Sequence, residues 1–232
     1  MRLAIMQPYF FPYIGYFQLI NAVEKFVFYD DVAYIKQGWI NRNKILLNGK
    51  DHLFTLKLNG SSSFKLINEI ELYKQNKNVL KTIIQAYSKA PLFKEVFPLI
   101  RDVFAETNES LSISKIAEIS IKKTSQYLNI DTVFESSSEV YSFTKNLKKE
   151  DRLIAICKAN DAKVYINSIG GSTLYDKNIF STKGIKLLFI KNTFPGYKQF
   201  NNSFISGLSI IDVLMFNSKE EISNMLNQYE LI

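Results

Sequence analysis

The chain has 232 residues, 47% of them hydrophobic, and carries a formal net charge of +7. That apolar content suffices for a full core in one unit, read here as a single α/β domain over 1–232 with a helical insertion at 74–130; no Ser/Gly linker, internal repeat or charge block marks a tail. The lysines are scattered among asparagines instead of gathered on one face with interleaved aromatics, which argues against nucleic acid as a partner, while a basic surface steers anionic small substrates such as a nucleotide or nucleotide sugar.

Leu3 to Met6 is a short apolar run that stops at Gln7-Pro8, and Pro12 and Gly15 follow, so a strand gives way to a turn. From Tyr13 the residues Ile14, Phe17, Leu19, Ile20 and Val23 recur at helical spacing, predicting a helix that ends near Lys25. Phe26 to Tyr29 is again strand-like and closes on Asp30-Asp31. Strand, loop, helix, strand implies a right-handed parallel βαβ unit, whose ligands bind beyond the carboxyl ends of the strands. Gln7 to Tyr16 and Asp30-Asp31 therefore share one rim. Gln7, Pro8, Pro12 and Gln18 interrupt the apolar opening and no small-residue cleavage pattern follows, so neither a signal peptide nor membrane insertion is expected and the expected compartment is the cytoplasm.

Two strands, Trp39–Leu47 and Leu53–Leu58, flank the tight-turn signal Asn48-Gly49, and Leu66–Tyr73 reads as a third, making a small antiparallel excursion. Asn78 to about Ile130 is helical in period, with Pro91 and Pro98 as breaks or first turns. The α/β rhythm then resumes: strand Thr132–Glu135, helix Asp151–Ala159, strand Lys163–Ser168, a turn at Gly170-Gly171, strand Ile185–Ile190, and helices Leu208–Met215 and Lys219–Tyr229. The fold class is thus α/β with a mainly parallel sheet. Cys157, the one cysteine, lies on an apolar helical stripe and reads as a buried inert thiol; His52, the one histidine, reads as a surface or hairpin-end residue, so no zinc-type ligand cluster is expected.

Pro12-Tyr-Ile-Gly-Tyr16 resembles the His-x-Gly-His turn of nucleotidyl-transfer domains such as pantothenate synthetases and cytidylyltransferases, which implies a nucleotidyltransferase-like, Rossmann-like sheet. Both histidine positions hold tyrosine, which can hydrogen-bond but brings no positive charge to a triphosphate. Tyr13 and Tyr16 read equally well as ligand contacts and as packed aromatics. Phe180-Ser-Thr-Lys-Gly184 resembles the late triphosphate motif of those domains, but a strand follows it where theirs continues into a helix, so the likeness is taken as coincidence.

A closer resemblance runs along nearly the whole chain. Met6-Gln-Pro-Tyr-Phe-Phe-Pro-Tyr-Ile-Gly-Tyr-Phe-Gln-Leu-Ile20, Phe28-Tyr-Asp-Asp-Val32, Gly38-Trp-Ile-Asn-Arg-Asn-Lys44, Asp151-Arg-Leu-Ile154, Tyr165-Ile-Asn-Ser-Ile-Gly-Gly171, Pro195-Gly-Tyr-Lys-Gln199 and Leu208-Ser-Ile-Ile-Asp-Val-Leu214 are similar to the WbqC-like protein family. The family pattern after the late strand is Ser-Gly; here Ile169 separates Ser168 from Gly170. The resemblance implies a role in bacterial surface-polysaccharide (O-antigen) assembly, attaching an acyl or aminoacyl group, such as glycyl, to an amino sugar or its nucleotide conjugate. The alternative is a binding or scaffold protein that kept a nucleotide fold without its histidines; nucleotidyl transfer itself is a weaker third reading.

Acyl transfer to an amine needs a group that accepts a proton and one that steadies an oxyanion. Asp30 and Asp31 at a strand end are the base candidates, and Arg42, with its planar fork, is the anion-binding candidate that completes the catalytic set. The substrate-binding candidates are Gln7, Tyr9, Tyr13, Gly15, Tyr16, Lys36, Lys44, Ser168, Gly170 and Gly171. Trp39 and Tyr34 are of a type that stacks on a sugar or base, although core packing explains Trp39 equally well. No motif names a cofactor or a metal, and self-association into a homo-oligomer is left open.

Overall fold

The computed structural model describes residues 1–73, 76–107, 111–200 and 203–232. Its chain order is β1 (Arg2–Met6), α1 (Ile14–Asn21), β2 (Lys25–Phe28), β3 (Arg42–Leu47), β4 (Lys50–Thr55), β5 (Leu58–Asn59), β6 (Glu71–Leu72), α2 (Lys77–Tyr87), α3 (Phe93–Glu106), α4 (Ile113–Tyr127), β7 (Val133–Ser136), α5 (Ser137–Val140), α6 (Lys149–Ala159), β8 (Val164–Ser168), α7 (Lys177–Ser181), β9 (Lys186–Asn192), α8 (Ile210–Phe216), α9 (Lys219–Leu226) and β10 (Tyr229–Leu231).

Six strands form one sheet in the order β10-β9-β8-β1-β2-β7. All neighbours are parallel except β10, which runs antiparallel to β9. Counted among the sheet strands alone, this is the doubly wound order 3-2-1-4-5-6, whose topological switch point lies between β1 and β8. The mainly parallel α/β sheet expected from the sequence is therefore present, and its two faces follow from the alternation of side chains along each strand. Ala4, Phe26, Phe28, Ile166 and Ile190 face α1, α4, α8 and α9. Leu3, Ile5, Val27, Tyr165, Leu187 and Phe189 face α6 and α7 through Leu153, Ile156, Cys157 and Phe180. Each fully buried Val, Leu, Ile or Phe of these layers contributes about 1.5–3 kcal/mol relative to exposure.

The Asn48-Gly49 turn forms as expected, with φ of 52° and 75°, and joins β3 to β4. The insertion is helical from α2 to α4; residues 74, 75 and 108–110 of that stretch lie outside the described residues. Asn129, at φ 55°, ends α4 as a left-handed cap. Three expectations need correcting. Leu66–Tyr73 is not one strand: Ile67 and Asn68 donate their N–H groups to the carbonyls of Val32 and Asp30, so the segment pairs with the loop after β2 and only β6 remains extended. Pro98 sits inside α3 and does not break it. The last helix stops at Leu226, and Tyr229–Leu231 becomes β10, closing the edge beside β9.

Candidate functional site

The loop from Gln7 to Tyr13 leaves β1 at the switch point and is held from three directions. Phe11 has φ 43°, a conformation that costs a bulky residue on the order of 1–3 kcal/mol and persists only when its surroundings over-determine it. Its N–H donates to Ser120 Oγ on α4, and its carbonyl accepts from Asn43 Nδ2 at 2.6 Å and Ser209 Oγ at 2.7 Å. Phe10 N–H donates to the Ile40 carbonyl, and the Pro12 carbonyl accepts from Ile210 N–H. Within the loop, Tyr16 donates its hydroxyl proton to the Gln7 carbonyl at 2.9 Å, and the Tyr9 hydroxyl accepts from Tyr13 N–H at 3.2 Å. Gly15 is required for another reason than a positive φ: a Cβ there would lie 2.4 Å from the Tyr13 ring, which rests directly on it.

These constraints leave a cavity of about 320 Å³ beyond the carboxyl ends of β1 and β8. Met6 of β1, Tyr9 and Tyr13 of the loop, and Gly15, Tyr16 and Leu19 of α1 line it; Trp39, Asn43, Ser168 and Gly207 complete the wall. Five of the sequence candidates, Tyr9, Tyr13, Gly15, Tyr16 and Ser168, thus meet around one space. Burial pushes the Tyr9, Tyr13 and Tyr16 hydroxyls up from their ordinary value, so all three stay neutral. Trp39 is 49% exposed although it is the one tryptophan of the chain. Its place is set by the tight turn at Ile35–Gly38, where a Cβ on Gly38 would come 2.9 Å from the Ile35 carbonyl, and by Arg42, whose guanidinium lies 5.6 Å from the indole centroid.

Asp30 and Asp31 occupy the neighbouring crevice, at the ends of β2 and β7, and both are buried. Asp30 accepts from Ser137 Oγ at 3.0 Å, from Ser138 N–H at 2.9 Å at the start of α5, from Ser138 Oγ at 2.5 Å and from Asn68 Nδ2 at 3.4 Å. Asp31 accepts from Arg152 Nη2 at 2.6 Å and is also paired with Ser137 Oγ. Ser137 has a single hydroxyl proton, so it serves one carboxylate at a time. Arg152 is itself buried, donates through Nε to Thr144 Oγ1, and lies 4.8 Å from the Tyr29 ring centroid. Next to this network stands Glu118 of α4, 2% exposed, whose carboxyl is pushed up to about 7 by burial, against the pull of Lys122 and Lys115 and with a contribution from Asp30. Ser136 Oγ donates to it at 3.2 Å. Among the described residues no group of three or more His, Cys, Asp or Glu side chains is placed to hold a metal ion.

The remaining candidates separate. Arg42 donates through Nε to the Gly38 carbonyl at 2.8 Å and stacks on Trp39, so it stands beside the Trp39 wall of the cavity and not among the carboxylates. Lys36 is exposed on the same turn. Lys44 is paired with Asp51 at 2.8 Å across the β3–β4 hairpin. Gln7 takes part through its backbone carbonyl. Gly170 and Gly171 form the expected turn, as part of the 3₁₀ turn Ile169–Thr173. A Cβ on Gly171 would come 3.1 Å from the Asn167 amide, which holds the Ser168 N–H at 2.7 Å, so this glycine indirectly sets Ser168 at the cavity wall. Cys157 is buried with its thiol pushed up to about 12 by desolvation, and His52 is exposed on β4.

Sequence reasoning missed Arg152, Glu118, Asn43 and Asp212. Asp212 is fully buried and accepts from Tyr87 at 2.7 Å, Tyr197 at 2.5 Å and Gln199 Nε2 at 2.7 Å, which ties the loop bearing Gly207 to α8. The available signal was a charged residue inside an apolar helical stripe, as in Arg152-Leu-Ile154 and Ile211-Asp-Val213. No helix among the described residues is long and apolar enough to cross a membrane.

Residues 7–224 match the model of the WbqC-like protein family, and the chain belongs to that family. The uncharacterized protein Rv1507c of Mycobacterium tuberculosis is 27% identical over 232 residues, covering 97% of each chain. No solved structure matches the chain.

Proposed function

We propose that this WbqC-like chain binds a small sugar or nucleotide-sugar ligand in the β1/β8 cavity and acts on it as a transferase of surface-polysaccharide assembly, moving an acyl or aminoacyl group onto a sugar amine. The observation that carries the binding half is the convergence of Tyr9, Tyr13, Tyr16 and Ser168 on one cavity at the switch point of a doubly wound sheet, where ligands of such folds bind. At about 320 Å³ it lies near the lower end of the roughly 300–1,000 Å³ of small-molecule sites, so it takes one ring and leaves phosphates at the mouth. Arg42, the first residue of β3, lies 5.6 Å from the ring of Trp39, which borders the cavity, and Lys36 is exposed on the preceding turn. The transfer half rests on the family resemblance and is the part that experiment must supply.

One observation favours the alternative, a binding protein without catalysis: the oxygens of Asp30 and Asp31 are engaged by Ser137, Ser138 and Arg152, so neither carboxylate is free to take a proton from an amine. Thermal shift against ATP, CTP, dTDP-amino sugars and UDP-sugars tests binding. A ligand at 100 times its Kd adds about 2.7 kcal/mol, which for a chain of this size raises the melting point on the order of 5–10 °C. No shift with any member of the panel removes the binding reading. Turnover of a shifted ligand in the presence of an activated acyl donor separates the enzyme from the binding protein.

A further inference from the structure

The wall chemistry of the β1/β8 cavity is unusual in having four aromatic residues, Tyr9, Tyr13, Tyr16 and Trp39, and no Lys, Arg, Asp or Glu among its lining residues. Tyr9 and Tyr16 stand at 86° with centroids 5.3 Å apart, so two ring walls meet at a right angle. The Tyr13 ring lies over Gly15 and adds another side. Trp39 gives one face to Arg42 and still borders the cavity. Such a box has no net charge of its own. Its ring faces are electronegative and attract a cation, and Ser168 on the wall carries a hydroxyl oxygen able to accept an N–H bond from it. Beside the Trp39 wall the charge is positive: Arg42, 5.6 Å from the indole centroid, suits a phosphate.

We propose that the tyrosine box is a cage for the ammonium group of an amine-bearing sugar, which enters amine first with its phosphates held at the mouth, and that it selects the free amine over the N-acylated sugar. The proposal rests on the reading of this cavity as the substrate site. It adds what that reading lacks, a physical reason why the unacylated sugar would be the one bound and the acylated one released: an amide carries no cation for the rings to hold.

Because Trp39 is the one tryptophan and borders the cavity, its emission, excited where tyrosine does not absorb, reports occupancy directly. Titration of the full chain with UDP-glucosamine and UDP-N-acetylglucosamine is expected to give binding about tenfold tighter for the free amine, the size of a partly desolvated cation–π contact. Tetramethylammonium chloride is expected to compete with UDP-glucosamine where sodium chloride at equal ionic strength does not. Tyr13→Phe keeps the ring and is expected to keep the preference, whereas Tyr13→Leu loses it. If both nucleotide sugars bind equally, or the N-acetyl form binds tighter, the cage is overturned while the cavity reading stands. If neither binds but tetramethylammonium still shifts Trp39 emission, the cage stands and the nucleotide-sugar reading falls. Should Tyr13→Leu fail to fold, the competition and Tyr13→Phe still decide.

Discussion

At the β2/β7 crevice Asp30 and Asp31 are drawn together with Ser137, Ser138 and Arg152 in a hydrogen-bonded network, whereas one crevice away, at β1/β8, tyrosines surround about 320 Å³ of open space. Both lie on the same edge of the same sheet, and the contrast comes from the side chains. A carboxylate that leaves water must find donors, and the serines and the arginine close in until it has them. A tyrosine carries its polar atom at the end of a rigid ring. Tyr16 satisfies its own at the Gln7 carbonyl, and nothing then pulls the walls inward. Charged residues at a strand end, which in a sequence suggest catalysis, are here bound into a network beside a cavity lined mainly by neutral ones.

Arg152→Ala tests that division most severely. It leaves Asp31 buried without its cation, and a loss of about 3–5 kcal/mol in denaturant unfolding is expected. The ligand-induced thermal shift, read against the variant's own melting point without ligand, should persist. If the shift disappears while the unfolding midpoint hardly moves, the network belongs to the active site and the contrast is lost. Glu118 comes next. Its carboxyl, raised from 4.5 to about 7 in the native state by burial, holds a proton there that the unfolded chain has already released. Its contribution is therefore fully present below the unfolded value and is lost as pH rises through about 7, with a slope of at most about 1.4 kcal/mol per pH unit. Unfolding in urea between those two pH values should show stability falling with pH, and Glu118→Gln should flatten most of the slope. Asp212, also pushed up by burial, leaves a remainder of the same sign. A slope unchanged in the variant would mean that Glu118 is not the group responsible.

Smaller effects sharpen the open side. Ser168→Phe projects a ring into the cavity from a half-buried position; the expected change in stability is within about 1 kcal/mol, together with loss of the ligand shift. Retention of the shift would put the ligand elsewhere. Lys183→Ala should do least, within about 0.5 kcal/mol and without effect on binding. Lys183 is exposed just before the amino end of β9, at the opposite end of the parallel sheet from the β1/β8 cavity.

The parts legible in the sequence were those where periodicity and turn chemistry act locally. The short apolar runs Leu3-Ala-Ile5 and Phe26-Val-Phe28, bounded by turn residues, placed the central strands, Asn48-Gly49 placed the hairpin, and the opening phrase contained most of the residues around the cavity. What escaped depends on contacts between distant segments. Arg152 is 121 residues from Asp31, and nothing in its helix announces that partner. β10 is three residues long, too short for an alternation to register, and is made a strand by the open edge of β9. Trp39 could not be assigned from sequence because exposure is a property of the fold: the same residue buried would have been core.

The clamp on Phe11 also bears on the order of events in folding. Its three side-chain partners, Asn43, Ser120 and Ser209, lie 32, 109 and 198 residues away along the chain. The loop around the cavity therefore cannot take its final form until segments from the beginning, middle and end of the chain have docked, each at the entropic cost of closing a long loop. The sheet has nearer partners to begin with, β1 and β2 above all. In refolding, recovery of ligand binding should accordingly trail the far-UV signal of the strands and helices. Simultaneous recovery of the two would show that the loop forms without its distant anchors.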